Sequence, residues 1–412
     1  MAFPKNFLWG SSTSSHQVEG GNFNNWSVWE KSESRIKNLE SRIKEPGFKN
    51  QFPPYVFDKW PSPSDIENYI SGKSADHYNR FQEDFDIAKS LGHTCHRLSI
   101  EWSRIEPKEG EFDEKEIKHY QQVVSALKER GIEPFITIWH WTLPLWLRDK
   151  GGLLAKDFPE HFARYSEKIV KPLSKLGVKF WITINEPNVI TGASYLKGQW
   201  PPQKKNYFAY NKALKNLIYA HKKSYSAIKK IDASLNVGIA KNQIFAEAKG
   251  FFNKIIKHLF NQYWNFNFLN KIKNHQDFIG LNHYFHKTIG GNNKNEKTSD
   301  MRWELYPKAM YSVLKDLEKY NKPVYITENG LADMRDKHRE WFIKESLKNI
   351  HQAIEEGIDV RGYMHWSLLD NFEWDKGFWP RFGLVEIDHK TLERTIRPSA
   401  YKFSEIIKQN DL

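Results

Sequence analysis

Pro134-Phe-Ile-Thr-Ile-Trp139 is followed by a stretch of helical apolar spacing at Glu160–Leu176 that ends on Gly177, and then by Phe180-Trp-Ile-Thr-Ile-Asn185. Two short β-rich runs, apolar on both faces and joined by a helix with glycine just past its end, describe parallel strands with a crossover helix. The unit recurs. Further runs lie at Leu8–Ser12, Thr94–Ile100, Val237–Lys241, Phe278–Tyr284, Val324–Glu328 and Arg361–Trp366, which makes eight. Helical spacing falls at Ala75–Leu91, Glu114–Arg130, Tyr210–Ile231, Phe251–Ile272, Tyr306–Tyr320, His338–Glu356 and finally Ser399–Ile407. Eight such units predict an α/β fold, a (β/α)8 TIM barrel spanning 1–412 as a single domain. An open doubly wound sheet would carry Gly-x-Gly-x-x-Gly after its first strand, where this chain has Trp9-Gly-Ser-Ser-Thr-Ser-Ser-His16-Gln17. The polar stretch Glu30–Ser71, with five prolines, reads as a loop insertion at about 30–72 that covers the barrel mouth.

Composition excludes several classes. With 39% hydrophobic and 15% aromatic residues the chain can build a large core, so disorder is not its dominant state. No run approaches the roughly 20 apolar residues that span a bilayer, and Met1-Ala-Phe-Pro-Lys5 does not begin a secretory leader. A soluble, cytoplasmic protein with no membrane partner is expected. The single Cys95 excludes an internal disulfide or a multi-thiolate metal site and reads as a small core residue. Asn25-Trp-Ser matches a glycosylation sequon but carries no weight without a leader. The net charge of +12 comes with lysines interleaved with acids, as in Lys337–Lys348, and reads as solvated helix faces with no nucleic-acid partner. His93 with His96, and His283 with His286, sit at i, i+3 on or beside strands and point to opposite faces, so no metal site is read. Without a phosphate-binding glycine loop, no nucleotide or other cofactor is expected.

A barrel collects its chemistry at the C-terminal ends of its strands. Those ends here are His16-Gln17-Val-Glu19, Arg97, Trp139-His140-Trp141, Asn185-Glu186-Pro187, Asn282-His-Tyr284, Thr327-Glu328-Asn329-Gly330 and His365-Trp366-Ser367 with Glu373-Trp374 beyond; strand five offers only Asn242 and Gln243. Either glutamate alone would read as an ion-pair partner of Arg97. Two of them, Glu186 and Glu328, at the facing ends of strands four and seven suit glycosidic cleavage, where one carboxyl protonates the leaving oxygen while the other attacks or stabilises the anomeric carbon. Trp141, Trp366 and Trp374 can stack on the apolar faces of a pyranose, and Gln17, His140, Asn185 and Glu373 can bond its hydroxyl rim. The expected partner is a small β-glycoside or short oligosaccharide.

Four motifs occur in one order: Phe7-Leu-Trp-Gly-Ser-Ser-Thr-Ser-Ser-His-Gln17-Val-Glu19-Gly, Thr183-Ile-Asn185-Glu186-Pro187, Ile326-Thr-Glu328-Asn329-Gly330, and Trp366-Ser-Leu-Leu-Asp-Asn-Phe-Glu373-Trp374. Together they resemble glycoside hydrolase family 1, the β-glucosidase and β-galactosidase family, over nearly the whole chain. The resemblance implies a retaining exo-β-glycosidase with Glu186 as acid/base and Glu328 as nucleophile. Arg97 and Tyr284 would sit beside Glu328, with Asn282 in the same catalytic set. Asn185 would contact the sugar 2-hydroxyl; Gln17, His140, Glu373 and Trp374 would hold the 3-, 4- and 6-hydroxyls, with Trp141 nearby and Trp366 flooring the glycone. Relatives that cleave 6-phosphoglycosides resemble a pattern with Ser at Glu373 and with Lys and Tyr where this chain has Pro380 and Phe382, so a neutral glucosyl, galactosyl or fucosyl unit is expected. Asn242–Asp277 and Phe285–Trp303 are shorter than is common in the family, which implies a thinly walled aglycone side. A transglycosidase using the same intermediate, or a non-catalytic sugar-binding relative, are the alternatives.

Overall fold

The computed structural model describes residues 1–293 and 297–412. Eight parallel strands close into a barrel in the order β1 (Leu8–Ser12), β2 (Cys95–Ser99), β3 (Glu133–Trp139), β4 (Phe180–Asn185), β5 (Asn236–Ala248), β6 (Phe278–Ile289), β7 (Val324–Asn329) and β8 (Val360–Trp366). β1 closes the ring by pairing with both β2 and β8. The crossover helices include α1 (His77–Ser90), α2 (Glu114–Glu129), α3 (Phe158–Ser174) and α4 (Tyr207–Ile231). Their apolar faces pack on the outside of the strands, as the 3.6-residue spacing requires. Inside the barrel, Phe135, Phe278, Tyr325, Cys95, Ile182, Ala240 and Met364 form a buried layer. Phe135 stacks on Phe180 at 4.2 Å. This layer plugs one end of the barrel, so a cavity can open only at the C-terminal ends of the strands.

The structure departs from the expected elements around β5 and β6. Both run past the barrel rim as a paired parallel ribbon as far as Ala248 and Ile289, with the register shifting between Gln243 and Ile244. The alternation of Ile244, Ala246 and Ala248 with Phe245 and Glu247 continues the strand after its polar Asn242-Gln243 step. The helix expected over Phe251–Ile272 is three segments: α5 (Phe251–Phe260), a π-helical turn at Asn261–Phe266, and α6 (Asn267–Ile272). The wide turn has a local cause. The Trp264 carbonyl turns away from the helix ladder to accept from Asn188 Nδ2 at 2.6 Å and Lys241 Nζ at 3.0 Å, while Asn265 exchanges hydrogen bonds with the Ile244 backbone.

The insertion after β1 is ordered. It carries a helix at Glu33–Ile43 and three 3₁₀ turns. Glu30 accepts from the Ser71 amide (3.0 Å) and hydroxyl (2.6 Å), pinning its two ends together. Asn68 Oδ1 accepts from the amides of Phe378 and Trp379 at 3.0 and 2.8 Å. The insertion therefore braces the loop after β8, which presents Glu373 and Trp374.

Candidate active site

Glu186 follows β4 directly, and the chain turns there into a short helix at Pro187–Thr191. Its backbone sits at φ 40°, ψ 63°, and Trp141 and Trp374 are also held at positive φ, 82° and 52°. Left-handed backbone costs a non-glycine residue on the order of 1–3 kcal/mol and persists only where its surroundings enforce it. Three of the expected site residues share that strain. Beyond Glu328, Gly330 is required by close approach: a Cβ there would lie 1.9 Å from the Trp366 carbonyl oxygen.

The two carboxyls meet different environments. Glu328, 4% exposed, takes a charged hydrogen bond from Arg97 Nη1 and one from the Tyr284 hydroxyl at 2.8 Å. Glu186, 5% exposed, takes its hydrogen bonds among the described residues from neutral amides: Asn282 Nδ2 donates to its Oε1 at 2.9 Å and Asn242 Nδ2 at 3.3 Å. Burial, reinforced by the negative charge of Glu328, pushes the Glu186 carboxyl up to about 7. One network joins the two sides. Asn185 Oδ1 accepts from Arg97 Nη2 at 2.7 Å and from Asn282 Nδ2 at 3.2 Å. Its Nδ2 lies 3.0 Å from His140 Nε2, and burial with the nearby Arg97 charge holds His140 neutral, well below the ordinary imidazole range.

These groups line a cavity of about 220 Å³, bordered by Gln17, His140, Trp141, Asn185, Glu186, Tyr284, Glu328, Trp366, Glu373 and Trp374. Arg97 and Asn282 lie beneath, acting through the carboxylates and Asn185. All twelve candidates are thus brought together. His16 and Glu19 are not part of the lining: His16 stacks on Trp374 at 5.5 Å, and Glu19 accepts from Tyr120 at 2.8 Å and Arg104 at 3.1 Å. A wider hollow of about 570 Å³ beside the β5–β6 ribbon lacks the facing pair of buried carboxyls, so the smaller cavity is the candidate site. Sequence reasoning missed Trp200, Trp303, Phe285 and Met301, which also line it. Trp200, Met301 and Trp303 come from loops with no strand-end position to mark them, and Phe285 lies in the part of β6 that runs past the expected strand end. Asn242 was the weakest of the strand ends and proves to touch Glu186. Of the stretch Phe285–Trp303, whose shortness implies a thinly walled aglycone side, Phe285, Met301 and Trp303 line the cavity, and residues 294–296 lie outside the described residues.

Glu373 is fixed by Gln17, whose Nε2 donates to Glu373 Oε2 at 3.3 Å and to Asn371 and Phe372 at 2.9 and 3.0 Å. Burial first, then the charges of Glu328 and Asp375, push the Glu373 carboxyl up to about 8. Folding therefore favours its protonated form. The associated stability is fully present below the ordinary carboxyl range and is lost as pH rises toward 8. A Glu373→Gln variant, with no proton to lose, is expected to gain melting temperature relative to the parent between pH 5 and 8; a difference independent of pH would refute the linkage.

The model of glycosyl hydrolase family 1 matches residues 1–267 and 249–412. The chain is 32% identical to the 1,4-β-D-glucan glucohydrolase of Thermotoga neapolitana, over 100% of this chain and 99% of that protein. Among solved structures it resembles the β-glycosidase from Pyrococcus horikoshii at a TM-score of 0.87 and 35% identity, covering 100% and 96% of the two chains. It matches the β-glucosidase from Thermotoga maritima in complex with glucoimidazole at 0.87 and 29%, covering both chains completely. With the closed parallel barrel, the paired glutamates and the full-length matches together, the chain belongs to glycosyl hydrolase family 1.

Proposed function

We propose that the protein is a retaining exo-β-glycosidase that removes a terminal glucosyl unit, and also accepts galactosyl or fucosyl units, with Glu328 as nucleophile and Glu186 as acid/base. The observation that carries the assignment is the asymmetry of the pair: Glu328 is ion-paired to Arg97, whereas Glu186 takes its hydrogen bonds from the Asn282 and Asn242 amides and has a raised carboxyl. In the first step a Glu328 oxygen bonds the anomeric carbon as its bond to the aglycone oxygen breaks, and the Glu186 proton passes to that oxygen. Glu328 is then an uncharged ester, so the repulsion that helped hold the Glu186 proton is gone. Glu186, now a carboxylate, takes a proton from water, whose oxygen bonds the anomeric carbon as the ester bond breaks. Two displacements restore the β configuration.

The glycone contacts follow the lining. Trp366 and Trp374 offer ring faces, Asn185 is placed for the 2-hydroxyl, and Gln17, His140 and Glu373 are placed for the far rim. The similarity to a glucosidase solved with glucoimidazole supports a small sugar as occupant. The test is initial rates on matched p-nitrophenyl β-glucoside, β-galactoside, β-fucoside, β-mannoside and 6-phospho-β-glucoside, with the anomer of the first-formed sugar read by NMR. Turnover of neutral sugars with β product first is expected; α product first, or turnover of the phosphosugar alone, would overturn the reading.

The pH dependence follows from Glu186. As the acid ionises, kcat/KM is expected to fall with a limb near pH 7. In Glu328→Gln the neighbouring negative charge is removed, so the Glu186 carboxyl, followed by carbon NMR of labelled glutamate, is expected to titrate at lower pH. An unchanged or higher midpoint would contradict the coupling.

A further inference from the structure

We infer that α5, with the cationic surface around it, docks the protein on an anionic lipid bilayer. An amphipathic helix in a barrel normally turns its apolar stripe to the strands. This helix does the reverse: none of its ten residues is buried, and Phe251, Phe252, Ile255, Ile256 and Leu259 are 74, 77, 51, 51 and 61% exposed. Their spacing of i, i+1, i+4, i+5 and i+8 makes one continuous apolar face. Beyond α5, Tyr263, Tyr207 and Phe208, 37, 57 and 83% exposed, add further aromatic surface, with Tyr263 and Tyr207 both packed on the buried Tyr210 ring at 6.0 and 6.4 Å. A contiguous apolar patch of this kind marks a contact surface rather than scattered exposure.

The charge says what kind of surface. The net +12 is concentrated in one stretch, where the lysines are not interleaved with acids as they are in Lys337–Lys348. Residues 187–276 hold 15 lysines against two acids, Asp232 and Glu247, while the other 322 residues hold 47 basic and 48 acidic side chains. Lys254 flanks the apolar stripe on α5 and Lys249 lies just before it, while Lys257, on the inner side of the helix, reaches over the Phe245 ring at 5.9 Å and Lys287 over the Phe260 ring at 5.6 Å. Asp316, beside Lys257, and Glu247 are the acids at its edge. Aromatic and aliphatic side chains on one face with lysines around them suit insertion at the boundary of lipid headgroups and acyl chains, the lysine stems lying along the surface. A second copy of this chain would bring two cationic faces together. Among the described residues no helix is long and apolar enough to cross a membrane, so the contact is interfacial.

The test is flotation of the full-length protein with vesicles of phosphatidylcholine alone or with about 30% phosphatidylglycerol. Binding to the anionic vesicles, weakened by salt, is expected. A Phe252→Ser/Ile256→Ser double variant is expected to bind at least about tenfold less, and Lys249→Glu/Lys254→Glu likewise, with rates on a soluble aryl glycoside unchanged because none of these residues reaches the cavity. No binding to anionic vesicles overturns the proposal. So does binding indifferent to the apolar variant, which would make the attraction charge alone. A dimer seen by sedimentation and abolished by the same apolar substitutions would assign the face to a second copy instead.

Discussion

Glu328→Ala is expected to lower kcat on p-nitrophenyl β-glucoside by at least roughly 10⁴-fold, more than about 5 kcal/mol of transition-state stabilisation, because no other side chain can form the ester. Glu186→Ala tests the other half by leaving-group dependence. A 2,4-dinitrophenyl aglycone departs without protonation, so the first step survives and the ester, lacking a base, hydrolyses slowly. Azide separates the two roles by stereochemistry. In Glu328→Ala it enters the face that the carboxylate vacated and gives the α-glycosyl azide. In Glu186→Ala it attacks the ester from the opposite face and gives the β-azide. The reversed pattern of products would exchange the two assignments, and full activity in either variant would remove that residue from the chemistry.

Arg97→Met is the second large effect. The guanidinium is fully buried and holds Glu328, Asn185 at 2.7 Å and Thr137 at 2.9 Å. Removing it strands a buried carboxylate and leaves acceptors without donors, which costs on the order of 3–5 kcal/mol. A lower urea midpoint together with loss of kcat is expected. Arg97→Lys keeps the charge, but its single ammonium cannot match the planar fork, so it is expected to recover stability more than rate. A methionine variant as stable and active as the parent would show that Arg97 neither pairs with nor orients Glu328.

The barrel and most of its site were legible because a closed parallel sheet converts sequence position into spatial position. Each apolar run had to end at the same rim, so Glu186 and Glu328, 142 residues apart, could be placed across one cavity before any coordinate was known. The motifs around them carried the same message through the family resemblance. Asn242 was underrated for the same reason that β5 was drawn too short. Asn and Gln at 242 and 243 look like the end of a strand, and only pairing with β6 shows the backbone continuing past them. Trp200 and Trp303 were invisible, since loop residues have no register to place them.

The sequence by itself determined the fold class, the strand ends that meet at the mouth and the concentration of lysine in residues 187–276, because periodicity, order and charge are properties of the chain alone. Tertiary structure decided which carboxyl takes the guanidinium and which takes the amides, and so which of the two has its carboxyl pushed up. It also decided the orientation of α5. An apolar stripe has the same spacing whether it faces a core or water, and only the packing of the neighbouring strands leaves this one outside.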